Sequence, residues 1–137
     1  MDKALQQKVA QLEALLARQL GEVGGDPAEK DEVMAGKYDA QLAGLVAAYD
    51  AYRASLDGRE PRVIEGFTGD QRFYIAFAQL WATKMDAQYA RRLSQREDWM
   101  APRLRVATVR NVDAWYRAFD VQPNDALYLA PEDRVSF

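Results

Sequence analysis

A chain of 137 residues, 49% hydrophobic and 28% charged, is long enough to fold around one core without staples, removing about 70% of its unfolded surface from water. Eighteen basic against twenty-one acidic residues leave a net charge of −3 with no basic block, which argues against nucleic acid as the main partner. Neither histidine nor cysteine occurs, so disulfides, thiol nucleophiles, imidazole bases and the usual thiolate or imidazole metal ligands are excluded.

In chain order, Leu5, Val9, Leu12, Leu16 and Leu20 recur at helical spacing on an otherwise polar surface and predict an amphipathic helix over 2–20. The GEVGGDP stretch (Gly21 to Pro27) ends it, because glycine and proline oppose helix continuation. Asp26 as N-cap with Pro27 at the first position opens a second helix, running to about Leu56 with Tyr38, Leu42, Leu45, Tyr49, Tyr52 and Leu56 on one face and a break expected near Gly36. Thr68 and Gln71 form a capping box, with Asp70 favoured at the helix start. The third helix is predicted to continue to about Ser94, burying Phe73, Phe77, Leu80, Trp81 and Met85. LRVATVR (Leu104 to Arg110) alternates in the manner of a short extended segment, and Asn111 is expected to cap a fourth helix bearing Trp115 and Phe119. A turn at Pro123 to Asp125 and an extended tail with Val135 and Phe137 close the chain.

The fold class expected is therefore mainly α: an antiparallel helical bundle with a short extended segment and an extended C-terminal tail. One domain, 1–137, is expected, with 1–24 as the helix and turn and 25–137 as the remainder. MDKALQQK lacks the basic head and apolar run of a signal peptide, and no apolar run approaches the 18 residues of a membrane span. The compartment is left open, and no membrane partner is expected.

GFTGDQRFYIAFAQLW (Gly66 to Trp81), RNVDAWYRAF (Arg110 to Phe119) and the closing YLAPEDRVSF resemble the C-terminal end of the neprilysin-like zinc endopeptidases. LAGLVAAYDAYRASLDG (Leu42 to Gly58) is similar to that family's segment after its third zinc ligand. The resemblance covers 37–137, and the motifs follow the family's order. It implies a zinc ligand at the position of Lys37, a histidine-orienting aspartate at Gln41, an oxyanion-steadying histidine at Trp99 and a substrate-binding arginine at Arg105. Only Arg105 keeps the family residue. A charged lysine has no acceptor for a cation, and an amide is a weaker partner than a carboxylate for a ligating histidine.

These departures imply a non-catalytic derivative with no metal, no cofactor and no catalytic residue. Its expected role is binding a protein or peptide as a monomeric module, with Arg105 and Trp99 as contact residues. A self-associating helical protein, or a fragment completing a zinc peptidase in trans, are the alternatives. Each feature also has a plainer reading. The aromatic set Phe73, Phe77, Trp81 and Trp115 has the spacing of core; Arg105 suits a structural salt bridge; Trp99 suits packing; and Arg91, Arg92 and Arg96 form a solvated face. The acidic group Asp26, Glu29, Asp31 and Glu32 lacks the spacing of a calcium loop.

Overall fold

The computed structural model describes Lys3 and residues 32–96 and 99–136. The amphipathic stripe, the Asp26 cap and Phe137 lie outside the described residues. Within them the chain is mainly helical. Helix α1 spans Glu32–Ser55, α2 Gly69–Trp81, α3 Ala87–Ser94, α4 Pro102–Ala107 and α5 Asp113–Phe119. A 3-10 turn, Thr108–Asn111, joins α4 to α5, and a second, Pro131–Asp133, precedes the tail. No strand occurs among the described residues, where the sole pairing of extended backbone is the bridge between Ile64 and Phe67. No helix among them is long and apolar enough to cross a membrane.

The face read from the sequence of α1 is the one it buries: Tyr38, Leu42 and Leu45 are at most 3% exposed, and Tyr49, Tyr52 and Leu56 are half-buried. The helix runs through Gly36 without a break. Along that face lie Tyr74 of α2, Met100, Ala101, Leu104, Val109, Val112, Ala114 and Val135, which complete the core. Helix α2 packs on α4 and α5, whereas α1 packs on α4 and the 3-10 turn that follows it. Between α1 and α2 the long aromatic side chains make contact: Tyr49 meets Phe73 and Tyr74 with ring centroids at 5.5 and 5.6 Å, and Tyr52 stacks on Phe73 at 5.5 Å.

The Thr68–Gln71 box forms, each residue's side chain bonding the other's backbone N–H at 2.9 and 3.2 Å. Gly69 beside it permits a close approach, since a Cβ there would collide with Tyr52 Oη and stand 2.7 Å from Pro61 Cγ. The chain enters this cap through a tight turn in which Ile64 and Phe67 exchange backbone hydrogen bonds of 3.0 Å, with Glu65 and Gly66 both at positive φ.

Three further expectations are corrected. Helix α2 stops at Trp81, because Asp86 caps a separate helix by accepting the Tyr89 amide at 2.7 Å; a polar side chain that bonds nearby backbone favours a new start over continuation. The alternating segment 104–110 is helical, with Pro102 in the first turn and Leu104, Ala107, Thr108, Val109 and Arg110 all buried. Asn111 does not cap α5, whose N-cap residue Val112 makes no side-chain bond. Instead Asn111 turns inward, donating to Tyr38 Oη at 3.1 Å and accepting the Val135 amide at 2.8 Å, and so ties α1 to the C-terminal tail.

Candidate functional site

Because α1 and α2 are pinned at one end, the space between them opens at the other. The pin is aromatic and ionic. Tyr49 Oη donates to Asp70 Oδ2 at 2.9 Å, while Arg53 reaches both Asp70 Oδ1 at 3.3 Å and the Glu60 carboxylate. Burial, then the hydrogen bond to Asp70, push the Tyr49 hydroxyl above its ordinary pKa. Beside it the Tyr74 hydroxyl is buried without a hydrogen-bond partner among the described residues, and burial raises its pKa.

The open end is a groove of about 430 Å³ lined by Gln41, Gly44, Leu45 and Ala48 of α1 and Phe73, Ala76, Phe77, Leu80 and Trp81 of α2. Eight of these nine residues are apolar or glycine, so the groove offers a partner mainly desolvation. The sequence pattern placed Phe77, Leu80 and Trp81 in the core; in the structure Phe77 and Trp81 are half-buried, and Leu80 is 72% exposed. The reason is geometric. Residues spaced as a helical stripe cover more arc than the core can, and α2 turns the excess into a groove wall. On the facing wall Gly44 leaves open space, with nothing within 4 Å of where a Cβ would stand.

One end of the groove is polar. Arg105 of α4 donates from Nη1 to Gln41 Oε1 at 2.7 Å and from Nε to the Met100 carbonyl at 3.3 Å. Its guanidinium lies 4.4 Å from the centroid of the Trp81 ring, a cation–π contact. Arg105 Nη2 has no hydrogen-bond partner among the described residues. The Trp81 Nε1 donor is buried without a partner among the described residues.

Of the four site positions raised by the sequence, Gln41 and Arg105 come together. Lys37 is half-buried on α1 one helical turn before Gln41. Trp99 does not join the groove; it is half-buried and packs against the core cluster. Sequence reasoning missed Trp81 as the partner of Arg105 and Leu80 as an exposed apolar residue. Trp115 also belongs with the core, edge-on to Tyr116 at 4.9 Å.

These residues do not fit a zinc ion. The sequence has no imidazole or thiolate, Lys37 carries no acceptor for a cation, and the Gln41 oxygen accepts from Arg105. Among the described residues no group of three or more His, Cys, Asp or Glu side chains is arranged to hold a metal.

The family model described as Peptidase family M13 matches residues 2–135. Two solved structures of the zinc metalloprotease Zmp1 of Mycobacterium tuberculosis are similar to this chain. One is a cryo-EM structure in the open state, with TM-score 0.80 and 34% identity. The other is a crystal structure in complex with an inhibitor, with TM-score 0.82 and 36% identity. Both comparisons cover 100% of this chain and 22% of the Zmp1 chain, so the chain spans less than a quarter of that relative's length. No curated protein matches the chain.

Proposed function

Since the chain belongs to peptidase family M13, we propose that it is a non-catalytic member of that family's C-terminal region which binds proteins or peptides through the groove between α1 and α2. The observation carrying this reading is the Gln41–Arg105–Trp81 corner. Two positions that the neprilysin-like resemblance assigns to metal support and substrate binding are bonded to each other at 2.7 Å, where Gln41 lines an apolar groove. An amide that already accepts from a guanidinium is a weaker partner than a carboxylate for a ligating histidine, but the pair still presents fixed donors beside an apolar surface. Such a site holds an apolar side chain in the groove and a backbone carbonyl at Arg105 Nη2.

Hydrolysis by this chain's own residues lacks its parts. Ser55, Ser94 and Ser136 have no histidine to activate them, and the carboxylate needed at position 37 is a lysine.

The test is amide chemical-shift mapping of the isotope-labelled chain against short peptides bearing one Leu, Phe or Trp among polar residues. Saturable shifts confined to Gln41, Gly44, Ala76, Phe77, Leu80 and Trp81, weakened about tenfold by Arg105→Ala, are expected, in line with loss of a hydrogen bond to a charged donor. Shifts scattered over the surface, or centred on Trp99, would sink the reading.

A further inference from the structure

We infer that the group a bound peptide presents to Arg105 is a carboxylate, and that Gln41 selects it by holding the guanidinium without neutralising it. The inference rests on the reading of the groove as a peptide site and narrows the acceptor at Arg105 Nη2 from a neutral carbonyl to an ionised one. A guanidinium keeps its charge in a protein, and taking part of it out of water is unfavourable unless an anion stands against it. Arg105 is half-buried, yet it forms no ion pair among the described residues. All its contacts are with neutral groups: the Gln41 amide oxygen at 2.7 Å, the Met100 carbonyl at 3.3 Å and the Trp81 ring, whose centroid is 4.4 Å away. They occupy Nη1, Nε and one face, and leave the charge uncancelled.

Arg134 shows the same fitting with the anion in place. It too is half-buried, its guanidinium lies over an aromatic ring, that of Tyr116 at 3.6 Å, and its Nε donates to the carbonyl five residues earlier, that of Leu129 at 3.0 Å. Its Nη1, however, meets the Asp113 carboxylate at 2.9 Å where Arg105 Nη1 meets an amide, and its Nη2 returns to the Leu129 carbonyl at 2.8 Å. Arg134 is thereby complete. Arg105 Nη2 has no partner among the described residues and, unlike Tyr74 Oη and Trp81 Nε1, is not shut off from water. A carbonyl arriving there accepts a hydrogen bond; a carboxylate does so and also cancels the charge, which makes the stronger pair. Gln41 and Trp81, which hold the guanidinium, both line the groove, so the carboxylate stands beside the seated apolar side chain. A peptide's C-terminal carboxylate, or an acidic side chain next to the apolar residue, carries that chemistry.

Three N-acetylated peptides test this on the full chain: Ser-Gly-Ser-Leu as the free acid, the same sequence as its C-terminal amide, and Ser-Leu-Glu-Ser as its amide. Binding is followed by NMR through the groove amides and the Arg105 Nε–H signal. The free acid or the Glu peptide is expected to bind about tenfold more tightly than the uncharged amide and to shift the Nε–H signal; whichever does so identifies the source of the carboxylate. Gln41→Glu keeps an acceptor of the same shape for Nη1 while adding the missing charge, and should reduce that preference to below about twofold. Equal affinities of the parent for all three peptides, with the groove amides responding, would overturn the inference and leave the groove reading standing. A preference kept in full by a folded Gln41→Glu chain would overturn it as well, and if that variant does not fold the parent titrations decide alone. Should none of the peptides bind, the groove reading falls and this inference falls with it.

Discussion

Replacing Asn111 by alanine removes the knot that joins α1, the 3-10 turn and the C-terminal tail. The Asn111 amide donates to Tyr38 Oη at 3.1 Å and to the Thr108 carbonyl at 3.3 Å, and its oxygen accepts the Val135 amide at 2.8 Å. All three contacts are buried; Tyr38 is 0% and Val135 1% exposed. Truncation strands the Val135 N–H where water does not reach, at about 1–3 kcal/mol, and the other two bonds contribute about 0.5–1.5 kcal/mol each. The expected destabilisation is thus about 2–6 kcal/mol, a large part of a small domain's stability. Urea unfolding followed by far-ultraviolet circular dichroism measures it, and a cycle with Tyr38→Phe isolates the coupling between the two side chains, expected at about 1 kcal/mol. A loss below about 1 kcal/mol for Asn111→Ala would mean that the tail is not held through this side chain, and the account of the core would be wrong.

Three further outcomes are expected. Burial, opposed by the Asn111 hydrogen bond, pushes the Tyr38 hydroxyl up to about 12 from 10.0; its stabilising effect is therefore complete below pH 10 and lost as pH rises towards 12, about 3 kcal/mol at 1.36 kcal/mol per unit. Tyr38→Phe should make that part of the stability–pH curve shallower, with Tyr49 and Tyr74 supplying the remaining slope, and an unchanged slope would contradict the assignment. Gly69→Ala must push against Tyr52 and Pro61 and should cost about 1–3 kcal/mol by thermal or urea unfolding, whereas a neutral result would show that the Thr68 cap tolerates displacement. Trp81→Ala should cost only about 1–2 kcal/mol, less than a fully buried aromatic, because its ring is half-buried in the groove wall; a loss of 4 kcal/mol or more would make it core.

Local signals were legible where their geometry is local. Thr68 and Gln71 lie three residues apart and cap each other, so the start of α2 follows from spacing alone. The Tyr38–Leu42–Leu45 face was equally readable, since one repeat runs through a long helix. Segment 104–110 was not: its apolar residues satisfy both a strand and a short helix, and only burial by α1 and α2 on several sides selects the helix. Asn111 is an acceptable cap in isolation, but Tyr38, 73 residues away, gives its amide a buried partner that a cap would forgo. The candidate site was half legible. Gln41 and Arg105 are 64 residues apart, so no spacing rule connects them, and they were reached through the neprilysin-like resemblance. Leu80 and Trp81 carry a core-like pattern, and their role as a groove wall depends on where α1 and α2 separate.

Zinc dependence tests the central claim most directly. A calorimetric titration of the tightest-binding panel peptide would be run once with chelator and once with equimolar zinc, and the peptide recovered intact by mass spectrometry. With no imidazole or thiolate in the chain, and the Gln41 oxygen engaged by Arg105, the account predicts the same affinity within twofold in both and an uncleaved peptide. Binding seen only with zinc, or cleavage of the peptide in its presence, would contradict it.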